Sequence, residues 1–197
     1  MEFAMIGGTF NPVHLGHLIC AERAYLEFNL DKVIFMPAGR PPHKEENQIN
    51  RPEHRLKMLK LAVEDNNHFK ISNWELKQKE KSFTIRTIDH LKNKYSAKRV
   101  NLIIGTDSLA EIFNWHQPDY ILANSNLIVA KRTGYSFPKI MKDQRLRKYE
   151  DNINILNNSL VEISSTMIRN FVKEGKSIKY LTTDKVIEYI KSHNLYK

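Results

Sequence analysis

Four short strand-like runs, Phe3–Ile6, Val33–Met36, Val100–Ile104 (apolar but for Asn101) and Leu127–Ala130, alternate with stretches of helical spacing, and this limits the fold more than any other feature. Runs with no polar alternation belong to strands covered on both faces. Strands joined by a helical crossover pair in parallel, with a right-handed connection. The chain therefore reads as a single α/β domain over residues 1–197. The expected architecture is a doubly wound, Rossmann-like, mostly parallel sheet with helices on both faces. A C-terminal helical part from about residue 164 packs on it.

The intervening segments are less constraining. A helix begins near Pro52 and carries the stripe Leu56, Leu59 and Val63, which reads as core. Phe69–Trp74 alternates like a strand. The next helix carries Ile85, Ile88 and Leu91, with Ser82 or Thr84 as its cap. Residues 133–150 read as a loop followed by a basic helix. Ile153–Leu156 and Leu160–Ile163 read as two short strands about a turn at Asn157–Asn158. A final helix covers about 184–193.

Three classes of protein are excluded early. A single cysteine, Cys20, allows no disulfide framework within the chain, and neither a secretory leader nor a membrane-spanning run is expected. Cytoplasmic location, with no membrane partner, is the expectation. The Walker and G-x-G-x-x-G patterns are absent, so P-loop and ordinary dinucleotide-dehydrogenase chemistry are not expected. The formal charge of +9 favours anionic partners. No aromatic platform is interleaved with the lysines, as single-strand binders need, so phosphate-rich small molecules are preferred to nucleic acid.

Two segments carry chemistry. In the first, the strand Phe3–Ile6 runs into Gly7-Gly8-Thr9-Phe10-Asn11-Pro12-Val13-His14-Leu15-Gly16-His17. Paired glycines let the backbone approach a ligand, and the helix that follows offers unpaired N–H groups and a positive dipole end, which suit a phosphate. His14 and His17 are three apart and can address the same spot. Cys20 lies one more such step on. A metal site there is set aside, because the steps drift round the helix and its N-terminus repels a cation. The second segment is Ile163-Ser164-Ser165-Thr166-Met167-Ile168-Arg169. There a hydroxyl-rich cap opens a helix that stops near Gly175, and a guanidinium one turn in completes a second anion cradle. Between them, Gly105-Thr106-Asp107 repeats the strand-to-glycine turn. Asp107 either accepts from ribose hydroxyls or caps the short helix through Phe113. Arg132, at another strand end, suits a phosphate or carboxylate. Arg40, His43 and Lys44 lie in a polar loop that reads either as solvated or as an anion contact.

The first segment resembles the G-G-x-F-[DN]-P-x-H-x-G-H signature of nucleotidyltransferases that make dinucleotides by adenylyl transfer, with Asn11 where many members carry Asp. The second resembles that family's I-S-S-T-x-I-R signature. Together with Pro41-Pro42-His43-Lys44, Ser82–Thr87, Gly105–Asp107 and Trp115, the likeness extends over nearly the whole chain to bacterial nicotinate-nucleotide adenylyltransferases. It implies transfer of an adenylyl group from ATP to nicotinate mononucleotide, giving deamido-NAD and pyrophosphate. His14, His17 and Arg169 would be catalytic. Gly7, Gly8, Thr9, Phe10, Gly105, Asp107, Ile163, Ser164, Ser165 and Thr166 would join them in holding ATP. Trp115 would stack on the nicotinate ring, Thr84 would sit near its carboxylate, and Lys44 and Arg132 would help with the mononucleotide phosphate.

The chemistry is economical. A phosphate monoester is mostly dianionic at neutral pH and is already a nucleophile, so no general base or nucleophilic side chain is required. The protein must align two phosphates and stabilise departing pyrophosphate. Mg2+ is expected with ATP, and no metal site of the chain's own. Alternatives are a nicotinamide mononucleotide or phosphopantetheine acceptor, a cytidylyltransferase, or a nucleotide- or nucleic-acid-binding module without catalysis. Length, Ser82–Thr87 and Trp115 speak against phosphopantetheine and cytidylyl transfer, and the histidines with Arg169 against a mere binder. The sequence leaves a homo-oligomer open.

Overall fold

The computed structural model describes residues 1–41 and 49–197. Its strands are β1 (Phe3–Gly8), β2 (Lys32–Pro37), β3 (Phe69–Ile71), β4 (Val100–Gly105), β5 (Ser125–Ala130) and β6 (Ile153–Leu156). They form one sheet in the order β3-β2-β1-β4-β5-β6, parallel throughout. The helices are α1 (Leu15–Glu27), α2 (Pro52–Val63), α3 (Thr84–Tyr95), α4 (Thr106–Ala110), α5 (Pro118–Asn124), α6 (Phe137–Ile140), α7 (Ser165–Lys173) and α8 (Asp184–Ser192).

Alternate residues of the central strands face opposite layers. Ala4, Ile6, Val33 and Phe35 pack with Ala21 and Ala24 of α1, Met58 and Leu59 of α2, Ile168 of α7 and Val186 of α8. Phe3, Met5, Ile34 and Met36 pack with Ile88 and Leu91 of α3, Leu109 of α4 and Ile121 of α5. Burial on both faces is why the apolar runs of β1 and β2 are unbroken. Each fully buried large side chain contributes about 1.5–3 kcal/mol. Among the described residues, no helix is long and apolar enough to cross a membrane.

Five local expectations differ from the structure. The strand read over Phe69–Trp74 ends at Ile71, and Trp74 leads into a short 3-10 turn, Glu75–Lys77. Leu160–Ile163 is not a strand, and Leu160 is 57% exposed. The buried Asn158 accepts from the Lys131 N–H at 2.8 Å and donates to the Ser159 carbonyl at 3.0 Å. It thereby ties the chain across the end of β5, where a hairpin would have turned it back. Neither Ser82 nor Thr84 caps α3: the cap residue is Phe83, with no side-chain bond, and the Ser82 hydroxyl instead accepts from the Gly39 N–H at 2.9 Å. Asp107 lies inside the first turn of α4, whose cap is Gly105. The basic stretch Gln144–Asn152 winds as a 3-10 helix, with Arg145 paired to Asp143 at 2.6 Å.

Candidate active site

The order of strands reverses between β1 and β4, which run side by side from the centre of the sheet. Ligands of doubly wound sheets bind beyond the C-terminal strand ends at such a point. A crevice opens there, lined by Gly7, Gly8, His17, Gly105, Asp107 and Arg132, and on its other side by Ser82, Thr84, Glu75 and Trp115. The register explains the meeting of the two glycine turns: Ile6 pairs with Ile103, and Gly105 with Ala130, so both turns leave the same edge.

The first motif bends tightly into α1. Phe10 adopts a left-handed φ of 49° and buries its ring against Phe35, so its side chain belongs to the core. His14 caps α1, and its backbone N–H donates to Nδ1 of His17 at 3.2 Å. That bond makes Nδ1 an acceptor and assigns the proton of the neutral His17 ring to Nε2. The two imidazoles overlap with centroids 3.6 Å apart. Gly16 admits this packing, since a Cβ there would lie 3.1 Å from His14 Nδ1.

Burial, reinforced by the nearby Arg132 charge, pushes the His14 pKa down to about 3. His14 is therefore neutral at physiological pH. The sign of the consequence is fixed. The unfolded chain binds the proton from about pH 6.5 downward and the folded chain only near pH 3, so stability is complete above about 6.5 and falls as pH drops through that window. Acid titration of thermal stability is expected to be flatter for His14→Gln than for the parent chain over this range. Parallel curves would mean that His14 is not the buried neutral group.

The second motif meets the first although some 150 residues separate them. Ser164 caps α7 by accepting from the Met167 N–H at 3.1 Å. Ser165 Oγ donates to the Pro12 carbonyl at 2.8 Å, and Arg169 Nη1 to the Asn11 carbonyl at 3.0 Å. Arg169 Nη2 reaches Thr166 Oγ1 at 3.1 Å, which orients the guanidinium beside the exposed hydroxyl. The Ile163 carbonyl lies 3.8 Å from the Cβ position of Gly16. Thr182 adds a bond from its hydroxyl to the Val13 carbonyl at 2.9 Å.

At the β4 end, the Asp107 side chain occupies the space that Gly105 leaves open, its Oδ1 lying 2.1 Å from where a Cβ would stand. Arg132 covers the same glycine, and its N–H donates to Thr106 Oγ1 at 2.9 Å. Asp107 Oδ1 and His14 Nδ1 are buried atoms with no hydrogen-bond partner among the described residues. Buried polar atoms are rarely left so, and these two border the crevice or underlie it.

Most candidates thus converge. Arg132 lies beside Gly105 on the crevice lining, and its charge reaches the buried His14. Lys44 lies outside the described residues. Reading the sequence missed Glu75, a buried carboxylate on the crevice wall that accepts from the Thr87 hydroxyl. Its pKa is raised by burial. It sits just after Trp74 in a polar stretch with no periodicity to mark it.

Residues 5–171 match the family model described as cytidylyltransferase-like. A probable nicotinate-nucleotide adenylyltransferase of Desulfitobacterium hafniense is 40% identical over 199 residues, covering 100% of this chain and 96% of that one. One from Caldicellulosiruptor bescii is 40% identical over 198 residues, covering all of both chains. The fold is shared with Plasmodium falciparum nicotinic acid mononucleotide adenylyltransferase complexed with NaAD (TM-score 0.82, 19% identity, 98% of this chain and 96% of that one). The shared sheet, the match to the family model and relatives at this identity over the full length place the chain in the nicotinate-nucleotide adenylyltransferase family, among the cytidylyltransferase-like nucleotidyltransferases.

Proposed function

We propose that the crevice joins ATP to nicotinate mononucleotide, forming deamido-NAD and releasing pyrophosphate. The observation that carries this reading is the stitching of Ser165 and Arg169 onto the turn that precedes His14 and His17. A phosphate oxygen of the mononucleotide attacks the α-phosphorus of ATP. The bond from that phosphorus to the α,β-bridging oxygen breaks, and the electron pair leaves with pyrophosphate. His17, through Nε2–H, and neutral His14 donate to phosphate oxygens near the reacting centre. Arg169 and the start of α7 hold the leaving end. Arg132, on the crevice lining, binds the mononucleotide phosphate. Asp107 accepts from a ribose hydroxyl. Thr84 and Trp115 receive the pyridine side, Trp115 offering a half-buried ring face. Mg2+ carried in with ATP would screen the charge of its phosphates. Among the described residues, no three His, Cys, Asp or Glu side chains are grouped to hold a metal.

The test is pyrophosphate release from ATP, run in parallel with nicotinate mononucleotide, nicotinamide mononucleotide and phosphopantetheine. Release with the first is expected, and silence with all three would reduce the chain to a nucleotide binder. Trp115→Ala is expected to raise the KM for the mononucleotide about tenfold, the worth of roughly 1–1.5 kcal/mol of ring stacking, and to spare that for ATP. An effect confined to ATP would remove Trp115 from the pyridine side.

A further inference from the structure

Arg55 is the largest fully buried side chain, 1% exposed, on a helix whose apolar stripe predicts core packing alone. Burying a guanidinium costs several kcal/mol unless it is paired. Among the described residues no carboxylate lies within ion-pair distance of Arg55, and the Glu53 and Glu75 charges act on it only from farther off. Its donors go to backbone: Nη1 to the Thr9 carbonyl at 2.8 Å and Nε to the Asn50 carbonyl at 3.1 Å. A leucine would fill the same layer without that penalty, so the charge has another use.

The use lies in the turn. Phe10 holds a left-handed φ of 49°, a conformation that costs a bulky residue about 1–2 kcal/mol and persists only where neighbours impose it. Carbonyl and N–H point in opposite directions across a trans peptide. By drawing the Thr9 carbonyl inward, Arg55 turns the Phe10 N–H the opposite way and sets the Thr9–Phe10 peptide, one residue beyond Gly8 of the crevice. The Asn50 peptide is drawn in as well: its N–H donates to Asn11 Oδ1 at 3.3 Å, and the Tyr196 hydroxyl reaches the same oxygen at 2.9 Å. One guanidinium thus locks Thr9, Asn11 and the segment at Asn50 together from beneath.

We propose that Arg55 is a positioning residue for the donor nucleotide, fixing the Thr9–Asn11 turn through two backbone carbonyls so that the turn is set before ATP arrives. This rests on the turn being where ATP binds. Lysine keeps the charge but lacks the fork that spans two acceptors.

The experiment measures Mg-ATP affinity by calorimetry, without acceptor, beside thermal stability and steady-state kinetics for Arg55→Lys and Arg55→Ala. For Arg55→Lys, ATP affinity and kcat/KM for ATP are expected to fall about tenfold or more, the worth of a charged hydrogen bond, with the mononucleotide KM changed less than threefold. In Arg55→Ala, guanidinium at about 10 mM, far below the molar range that unfolds small domains, is expected to restore ATP affinity. ATP affinity within twofold of the parent in folded Arg55→Lys would overturn the proposal. So would a parallel loss for both substrates that tracks a falling thermal midpoint. If Arg55→Ala does not fold, Arg55→Lys alone decides. A parent chain that binds ATP yet never releases pyrophosphate would sink the transferase reading and leave the Arg55 comparison standing.

Discussion

His17→Ala is expected to lower kcat by about 10²–10³-fold, the usual loss when one preorganised donor to developing charge is removed. The fold should lose only about 1 kcal/mol, since the ring is half-buried and its Nδ1 accepts a local bond from the His14 N–H at the helix start. The separation of the two effects is the point. His17 occupies the first turn of α1, on the face that carries Ala21 and Ala24 but at the crevice end of the helix, so its removal leaves the layer those alanines form against the sheet intact. His17→Asn offers a donor at a similar height and should recover part of the rate. Steady-state kinetics set against thermal unfolding decide the matter: losses of activity and stability in proportion would make His17 a structural cap.

The second large effect belongs to Arg169. Arg169→Ala should reduce kcat/KM for ATP by about 10²-fold or more and hardly alter mononucleotide binding. The guanidinium spans the Asn11 carbonyl and the Thr166 hydroxyl, so it has two parts to play. It brings a positive charge to the anion cradle at the start of α7, and it fastens that cradle to the turn bearing the histidines. Arg169→Lys separates them, because the charge survives while the bridge does not. An intermediate loss is expected for lysine, and pyrophosphate product inhibition should weaken in both variants. A lysine variant indistinguishable from the parent would show that charge alone matters. An alanine variant with unchanged ATP kinetics would remove Arg169 from the leaving-group side.

Much of this was written in local patterns. The largely apolar runs in β1, β2, β4 and β5 announced strands covered on both faces, and the helical connections between them required parallel pairing. The two motifs stood out because Gly7-Gly8, His14, His17 and the Ser164–Arg169 cap are residue types whose chemistry depends on spacing along one turn. Tertiary structure decided what depends on distant neighbours. Strand order, and with it the meeting of β1 and β4 at the reversal point, is not encoded in any single stretch. Asn158 looked like a turn residue and proved to be a tie across β5, because its partner Lys131 is 27 positions away. Ser82 looked like a helix cap and serves Gly39 instead. Glu75 and Arg55 carry no local signature, since a buried charge is recognisable only once the groups that surround it are in place. Periodicity reports which face of an element is apolar; it is silent on which polar side chain the folded chain will enclose, and that choice shapes the site.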